Sequence, residues 1–505
     1  MSEPATAQVP ADPGAATPTA ADAERRLHPM SWLFVLLQQL TQFILPLLAL
    51  VVFGQGDRNA LWPLIGVGGL AIYAIWQYFT YRYGVVGDAL VVRSGLLERS
   101  VRVIPFARIH NVALQQSLLH RLVGVAEVRL ESAGGKKPEA EMRVLKLEDA
   151  LALESLVRHR GATAPAGAAA APDAAPLLAM DSGEVLRLGL VSNRGMLLLV
   201  AAFGGMWQVP GLGENLFEGW GESVLGLAED RHFGPSEYVL AGLTLVLLAM
   251  AGMRLLSMLM ALLQYHGFEL REQARRLTVE RGLLARWRTS ASRRQIQAWT
   301  LEEGVLHRLL KRRSLSVDTA VAEEQQQQRA LRELAPIATP QSCDALIEHL
   351  LPASQWRSLV WQPQPASNWW RLWWPGALLV LAIASAAAWR VGPWGLLVLA
   401  WLPWSAFVAW QHARRLAWAM SEDLVAVRGG WWSRHWRFAE IDKLQVLKLS
   451  RNGVDRRLGT ASLSFDTSGA GALAPPLRIR FLPIAMAREL NDRLAATLAT
   501  RPLRW

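Results

Sequence analysis

Gly87–Gly135 reads GDALVVRSGLLERSVRVIPFARIHNVALQQSLLHRLVGVAEVRLESAGG, and its period is that of β-strands. Ala89–Val92 and Val101–Ile104 are β-rich runs split by Gly95, and Glu127-Val128-Arg129-Leu130-Glu131 alternates strictly. Gly87-Asp88 and Gly134-Gly135 are turn signals. A helical pattern closes the unit at Glu148–Arg158, and similar closing helices are expected at Pro340–Leu351 and Pro483–Leu498. A sheet followed by one packed C-terminal helix is an α+β domain.

The unit recurs. Gly95, within Ser94-Gly95-Leu96-Leu97, is followed fourteen residues on by Ile109 and at offset 26 by Arg121. Arg281-Gly282-Leu283-Leu284 has Ile296 and Arg308 at the same offsets, and Gly430-Trp431-Trp432 has Leu444 and Arg456. The third register takes Gly430 rather than Gly429 as its origin. Three coincident offsets mark an internal repeat.

Each repeat follows a pair of apolar stretches. They are Trp32–Phe53 with Ala60–Phe79, Met196–Val209 with Tyr238–Leu263, and Trp369–Trp389 with Val391–Trp410. A bilayer core needs about 20 apolar residues in a helix, so the reading is six transmembrane helices in three hairpins. Met196–Val209 is short and must borrow from Leu186–Val191 to cross. The chain is 52% hydrophobic and 19% charged, unlike a water-soluble protein of its length. Trp369, Trp370, Trp373, Trp374, Trp404 and Trp410 suit an indole belt at the headgroups, whereas Trp431, Trp432 and Trp436 read as core aromatics. Gln38, Gln39 and Gln42 lie within the first stretch, where amides bond across helices. The single cysteine, Cys343, excludes an internal disulfide and a cysteine-based zinc site and is expected to pack in a helix.

The expected organisation is a disordered tail over 1–27, a hairpin over 28–80 and a first domain over 81–160. An Ala/Pro linker over 161–180 and a second hairpin over 181–263 follow, with an acidic external loop over 210–236. The second domain takes 264–351, a linker 352–368, the third hairpin 369–412 and the third domain 413–505. Arg25, Arg26, Arg82, Arg254, Arg414 and Arg415 flank the spans, while Glu214, Glu218, Glu222, Glu229, Asp230 and Glu237 crowd one loop. Positive-inside counting therefore places the tail and all three domains in the cytoplasm of a multi-pass inner-membrane protein.

At Arg93-Ser94-Gly95-Leu96-Leu97, Ile104-Pro105, Arg108-Ile109, Gln115-Gln116-Ser117 and Arg121-Leu122-Val123-Gly124 the first unit resembles the bacterial pleckstrin-homology-like domain. Hairpin plus domain, three times over, is similar to the layout of YdbT-type membrane proteins, so the resemblance covers almost the whole chain. The second unit has Ala291-Ser292 for the Ile-Pro pair and Lys311 for the glycine. The third has Ala439-Glu440 there but keeps Gly459. The resemblance implies a small, partly open β-barrel capped by a helix and action at the cell membrane. It also implies a link to resistance against membrane-active antimicrobials, with a YdbS-like single-domain membrane protein as partner. Phosphoinositide binding does not transfer with the fold alone.

No phosphate loop, His-Glu-x-x-His pair or Gly-x-Ser-x-Gly elbow occurs, and the histidines are scattered, so no catalytic, cofactor or metal residue is assigned. His120 and His307 share a repeat position and read as hydrogen-bonded turn residues. Glu302-Glu303 and Glu323-Glu324 read as solvated faces. Arg121, Arg308 and Arg456 share another position, where two roles compete: bonding to loop carbonyls, or contact with anionic headgroups. Lys311, Arg312 and Arg313 form the densest cationic run and are expected to project from a loop, because burying three adjacent charges is costly. A net charge of +11 favours an anionic surface or acidic partner, and its spread over three tethered domains argues against nucleic acid. The leading expectation is a non-enzymatic membrane-surface interaction or assembly module. The alternatives are a component of a lipid or peptide exporter, and a membrane-embedded enzyme.

Overall fold

The computed structural model describes residues 25–26, 28–34, 36–37, 68–69, 72, 75–76, 79–95, 100–132, 140–160, 175–207, 218–219, 234–273, 275–319, 329–469 and 474–500. It divides into two compact units. One holds the first domain, and the other, Ala168–Trp505 together with Ala133–Lys137, holds the second and third.

The three domains share one order of elements. The first runs β1 (Arg82–Val86), β2 (Ala89–Ser94), β3 (Ser100–Pro105), β4 (Ile109–Gln116), α1 (Leu118–Val123), β5 (Val125–Ser132), β6 (Ala140–Lys146) and α2 (Leu147–Arg160). Three apolar-stretch helices precede the next domain: α3 (Ser182–Val191), α4 (Arg194–Trp207) and α5 (Pro235–Tyr265). The second domain runs β7 (Glu269–Gln273), β8 (Arg276–Arg281), β9 (Arg286–Ser292), β10 (Ile296–Glu303), α6 (Val305–Leu309), β11 (Arg313–Thr319), β12 (Glu333–Ala338) and α7 (Pro340–Leu350). Then come α8 (Trp369–Val391) and α9 (Trp401–Arg415). The third domain runs β13 (Ala417–Met420), β14 (Leu424–Gly429), β15 (Arg434–Glu440), β16 (Leu444–Ser450), α10 (Gly453–Arg457), β17 (Thr460–Thr467), β18 (Arg478–Pro483) and α11 (Ile484–Thr500).

The repeat extends to single hydrogen bonds. Phe106 N donates to Asp88 O, Arg293 N to Arg275 O and Ile441 N to Asp423 O, at 2.8, 3.0 and 2.8 Å, so one turn closes each first sheet alike. Gly95, Gly282 and Gly430 all have positive φ, at 114°, 113° and 78°. A Cβ would lie 1.9 Å from Ala285 O at Gly282 and 1.8 Å from Ser433 O at Gly430, so only glycine fits these hairpin tips. Gly430 is thus the correct origin of the third register.

Each domain has two antiparallel sheets of three main strands, closed by its last helix. A two-residue strand extends the first sheet, Leu178–Ala179 in the second domain, Gln362–Pro363 in the third and Arg25–Arg26 in the first, so these last two residues are not part of a disordered tail. In the first, β1-β2-β3 and β4-β5-β6 bury Leu90, Ile104, Val128 and Leu130. Ala150, Leu153 and Val157 of α2 cover them at helical spacing. Cys343, Leu346, Ile347 and Leu350 of α7 do the same in the second domain, and Ala487, Leu490 and Leu494 of α11 in the third. Burial pushes the Cys343 thiol up to about 12, so it packs without reactivity. The second and third domains also share a sheet, in which β10 pairs antiparallel with β15.

The apolar stretches depart from expectation. Among the described residues two helical stretches are long and apolar enough to cross a membrane, Ser236–Tyr265 and Ala366–Arg415, or three if a bent pair counts as one. Six independent spans are therefore not found. The first two expected stretches, including Gln38, Gln39 and Gln42, lie almost wholly outside the described residues. The third does not extend straight into Leu186–Val191. The chain bends by 57° between α3 and α4, because Val185 and Leu188 of α3 are buried in the core of the second domain. Ala366–Arg415 is not one rod: it breaks at Gly392 (φ 71°) and folds back, so that Trp373 Nε1 of α8 donates to Ser405 Oγ of α9 at 2.9 Å.

Residues 352–368, expected as a connecting linker, pack instead. Trp356 is buried in the core of the second domain with its ring 4.5 Å from that of Phe438, and its Nε1 donates to Asp344 at 2.9 Å. Most of the Ala/Pro segment over 161–180 and of the acidic loop over 210–236 lies outside the described residues.

Candidate functional site

The hairpin tip carrying the shared glycine meets an apolar helix in both domains of the second unit, at the end of α5 and on the flank of α9. Gly282 N donates to His266 O at 2.9 Å and Leu283 N to Leu263 O at 3.0 Å, fixing the β8–β9 tip to the last turn of α5. In the third domain Trp431 packs edge-on against Phe407 and Trp404 of α9, with centroids 5.4 and 6.2 Å apart. The next residue at each tip points out: Leu284 is 43% and Trp432 60% exposed. Trp432 was expected in the core, yet it projects beside an apolar helix.

Polar knots brace the same junctions. Arg371, near the start of α8, is buried; it pairs with Asp455 of α10, donates to Thr460 Oγ1 at 3.1 Å and stacks over the Phe481 ring at 4.1 Å. Burial alone would raise the Asp455 carboxyl, but the Asn452 amide, the Thr460 hydroxyl and Arg371 outweigh it and hold it below the usual range. In the second domain Glu333 accepts from Arg194 at 2.9 Å, lies 3.5 Å from Arg281 and bonds to Tyr265 at the end of α5.

The predicted basic residues distribute around these junctions. Arg121, Arg308 and Arg456 all lie on the short helix after the fourth strand, α1, α6 and α10. Arg121 and Arg456 are exposed, and Arg308 donates to Trp432 O at 3.2 Å, beside the exposed indole. Lys311 is exposed with φ 53°, the left-handed conformation that Gly124 (φ 70°) and Gly459 (φ 64°) take in the other units. Arg312 does not project freely: Glu184 of α3 holds it at 2.6 and 2.9 Å. Arg313 turns inward, 3.7 Å from Asp344 and 4.9 Å over the Trp436 ring. Two of the three adjacent charges therefore have partners.

Three further arginines were not singled out in the sequence as site residues. Arg415, at the end of α9, lies in the fields of Arg434, Arg308 and Arg428. Glu303 is the counter-charge in this group, 3.6 Å from Arg434 and 4.0 Å from Arg313. Glu303 is thus buried and paired, not part of a solvated face. The β13–β14–β15 ladder brings Arg415, Arg428 and Arg434 together, and Arg308 joins them because β10 lies beside β15, a cross-domain pairing that no local pattern announces. A cationic cluster beside an exposed indole and an apolar helix end suits a phosphate-bearing headgroup.

A second feature is a hollow of about 270 Å³ lined by Leu188, Glu302, His307, Ser316 and Glu333 among others. Burial lowers the His307 imidazole, Glu303 opposing it in part, and raises the Glu302 carboxyl. His307 Nε2 is buried without a hydrogen-bond partner, whereas His120 bonds to Ser117 Oγ at 2.6 Å, so the shared position is satisfied in one domain only. Glu323 and Glu324 lie outside the described residues. No group of His, Cys, Asp or Glu that could hold a metal occurs among the described residues.

Comparison with known proteins gives the layout a context. The chain matches the family described as Bacterial PH domain three times, over residues 33–161, 222–348 and 376–498, each match beginning within or just before an apolar stretch and ending at a closing helix. It is similar to the transmembrane protein YdbT of Bacillus subtilis, 21% identical over 476 residues that cover 88% of this chain and 93% of that protein. No solved structure matches.

Proposed function

The chain belongs to the Bacterial PH domain family, and we propose that it is a membrane protein whose PH-like domains work at the lipid surface as an interaction and assembly module. The observation that carries this is the docking of the glycine hairpin tips on the end of α5 and on the flank of α9, with Leu284 and Trp432 exposed beside them. If those helices span a bilayer, as in a relative named a transmembrane protein, the tips and the arginine cluster lie at the headgroups. The membrane is the bacterial cytoplasmic membrane and the domains face the cytoplasm, the side favoured by Arg25, Arg26, Arg414 and Arg415. Anionic lipid and a YdbS-like single-domain protein are the proposed partners, and envelope integrity or resistance to membrane-active antimicrobials is the proposed setting. The proposal is non-enzymatic.

The test is lipid capture by the full chain reconstituted in liposomes, using photoactivatable phosphatidylglycerol and phosphatidylcholine. Phosphatidylglycerol should be captured preferentially. The preference should fall several-fold in Arg308→Gln/Arg415→Gln and weaken with salt, because exposed charges are screened. Equal capture of both lipids, or no change in the variant, would contradict the reading. An exporter would need a polar path, and no observation at α5, α8 or α9 favours one: Ser257, for instance, bonds to Gly195 N at 2.9 Å.

A further inference from the structure

The joint between the second and third domains has a defined chemistry. β10 pairs with β15 so that Trp299 faces Phe438, Thr300 faces Arg437 and Leu301 faces Trp436. The Trp299 and Phe438 rings lie parallel within 4°, with centroids 6.1 Å apart. Arg437 reaches across, donating to Asp318 Oδ2 at 2.6 Å and to Thr300 Oγ1 at 2.8 Å. All three polar partners are buried, Arg437 at 3% and Asp318 at 7% exposure. An antiparallel strand pair, an apolar face and one arginine–aspartate clamp thus hold two domains together.

The repeat predicts where the same surfaces recur. β3 of the first domain is the counterpart of β15, and β16 of the third is the counterpart of β10. Each is the outermost strand of its sheet among the described residues. Arg102 stands at the same offset from Gly95 as Arg437 from Gly430, and Asp466 at the same offset from Gly430 as Asp318 from Gly282. The ladder agrees: Ala298 pairs with Asp318 and Val446 with Asp466. Arg102 and Asp466 are both exposed. Val101 and Val103 take the places of Trp436 and Phe438 at 43% and 42% exposure, facing the counterparts Leu447 and Leu449 of Trp299 and Leu301.

We propose that copies of this chain join head to tail, β16 of one pairing antiparallel with β3 of the next, with Asp466 of the first clamping Arg102 of the second. The register sets Leu447 opposite Val103 and Leu449 opposite Val101. Edge strands are pairing templates, and here two strands that are outermost among the described residues carry the counterparts of a joint the chain already makes internally. A heterologous contact of this kind builds rings or open rows. Lys448 stands where Thr300 accepts from Arg437 and places a like charge opposite Arg102, so this joint is weaker and more reversible than the internal one. The inference rests on the assembly half of the reading above and names its partner: a second copy, because that copy brings its own Arg102 edge.

The test uses two tagged full-length copies in membranes, Cys343→Ala throughout, one with Val103→Cys and the other with Leu447→Cys. Directly opposed residues lie within reach of a disulfide or short bis-maleimide. The cross-link should form between the two tags, fall at least tenfold with Arg102→Glu in one copy or Asp466→Arg in the other, and recover when both reversals are present. No cross-link, or one indifferent to the reversals, overturns the pairing, as does capture of Leu447→Cys by a different protein. Phosphatidylglycerol capture measured on the same variants separates the two readings. No cross-link between the Val103→Cys and Leu447→Cys copies, with capture retained, sinks this inference alone, and lost capture in copies that still cross-link sinks only the headgroup reading.

Discussion

Arg371, at the start of an apolar helix, and Asp455, in the short helix that each repeat places after its fourth strand, form a buried ion pair. Through it the apolar hairpin of α8 and α9 is tied to the third domain. Breaking a buried pair leaves one charge without compensation, at a cost of about 3–5 kcal/mol. Asp455→Ala should therefore lower thermal stability in detergent sharply, and Arg371→Met with Asp455→Leu should recover much of the loss. A single variant as stable as the parent would show that the junction does not depend on the pair.

Lys311 holds a left-handed backbone conformation that glycine supplies in the other two domains. Such strain costs about 1–3 kcal/mol, against about 0.5–1 kcal/mol of extra chain entropy for glycine. Lys311→Gly should then raise the melting temperature slightly, by a net on the order of 1 kcal/mol, while lowering phosphatidylglycerol capture. Stabilisation without lost capture would leave the strained lysine as a chance replacement.

The strands, the closing helices and the triple repeat were legible because period-two alternation and glycine spacing are local signals. Gly430 could be chosen over Gly429 from the offset alone, and its positive φ gives the reason. What failed depended on tertiary contacts. Nothing in Arg312 or Arg313 reveals that Glu184 and Asp344 will reach them, and Arg308 and Glu303 join Arg415, Arg428 and Arg434 only because β10 meets β15. Among the described residues apolar length missed the bend between α3 and α4, because α3 buries its apolar face in a domain.

Trp356 shows the same limit, since a proline-flanked segment hides a core residue. Its burial against Phe438 predicts that Trp356→Ala costs about 3–5 kcal/mol, as for other large aromatic truncations. Trp356→Phe should cost far less. Chemical denaturation of the detergent-solubilised chain measures both, and an alanine variant of parental stability would restore the segment to a passive linker.

Burial lowers His307, with Glu303 opposing, and lowers His435, with a hydrogen bond to the Ser433 backbone opposing and the charges of His412 and Arg437 adding to the effect. Both folded values lie below the unfolded one of about 6.5, so the unfolded chain takes up protons first as pH falls. Their contribution is fully present above about pH 6.5 and lost as pH drops through the folded values. The melting temperature should fall between pH 7.5 and 5.5, and the slope should flatten in His307→Gln/His435→Gln. An unchanged slope would assign the acid sensitivity to other groups.

The claim that the glycine hairpin tips lie at the membrane surface is tested most directly by the depth of Leu284. A nitroxide at Leu284→Cys, in a Cys343→Ala chain reconstituted in liposomes, can be compared with one at the exposed Asp492 position of α11. Collision rates with oxygen and with a water-soluble nickel chelate report depth. The account predicts that the Leu284 label sits at headgroup level, with reduced access to the nickel chelate, while the Asp492 label stays fully aqueous. Equal access of the chelate to both labels would contradict it.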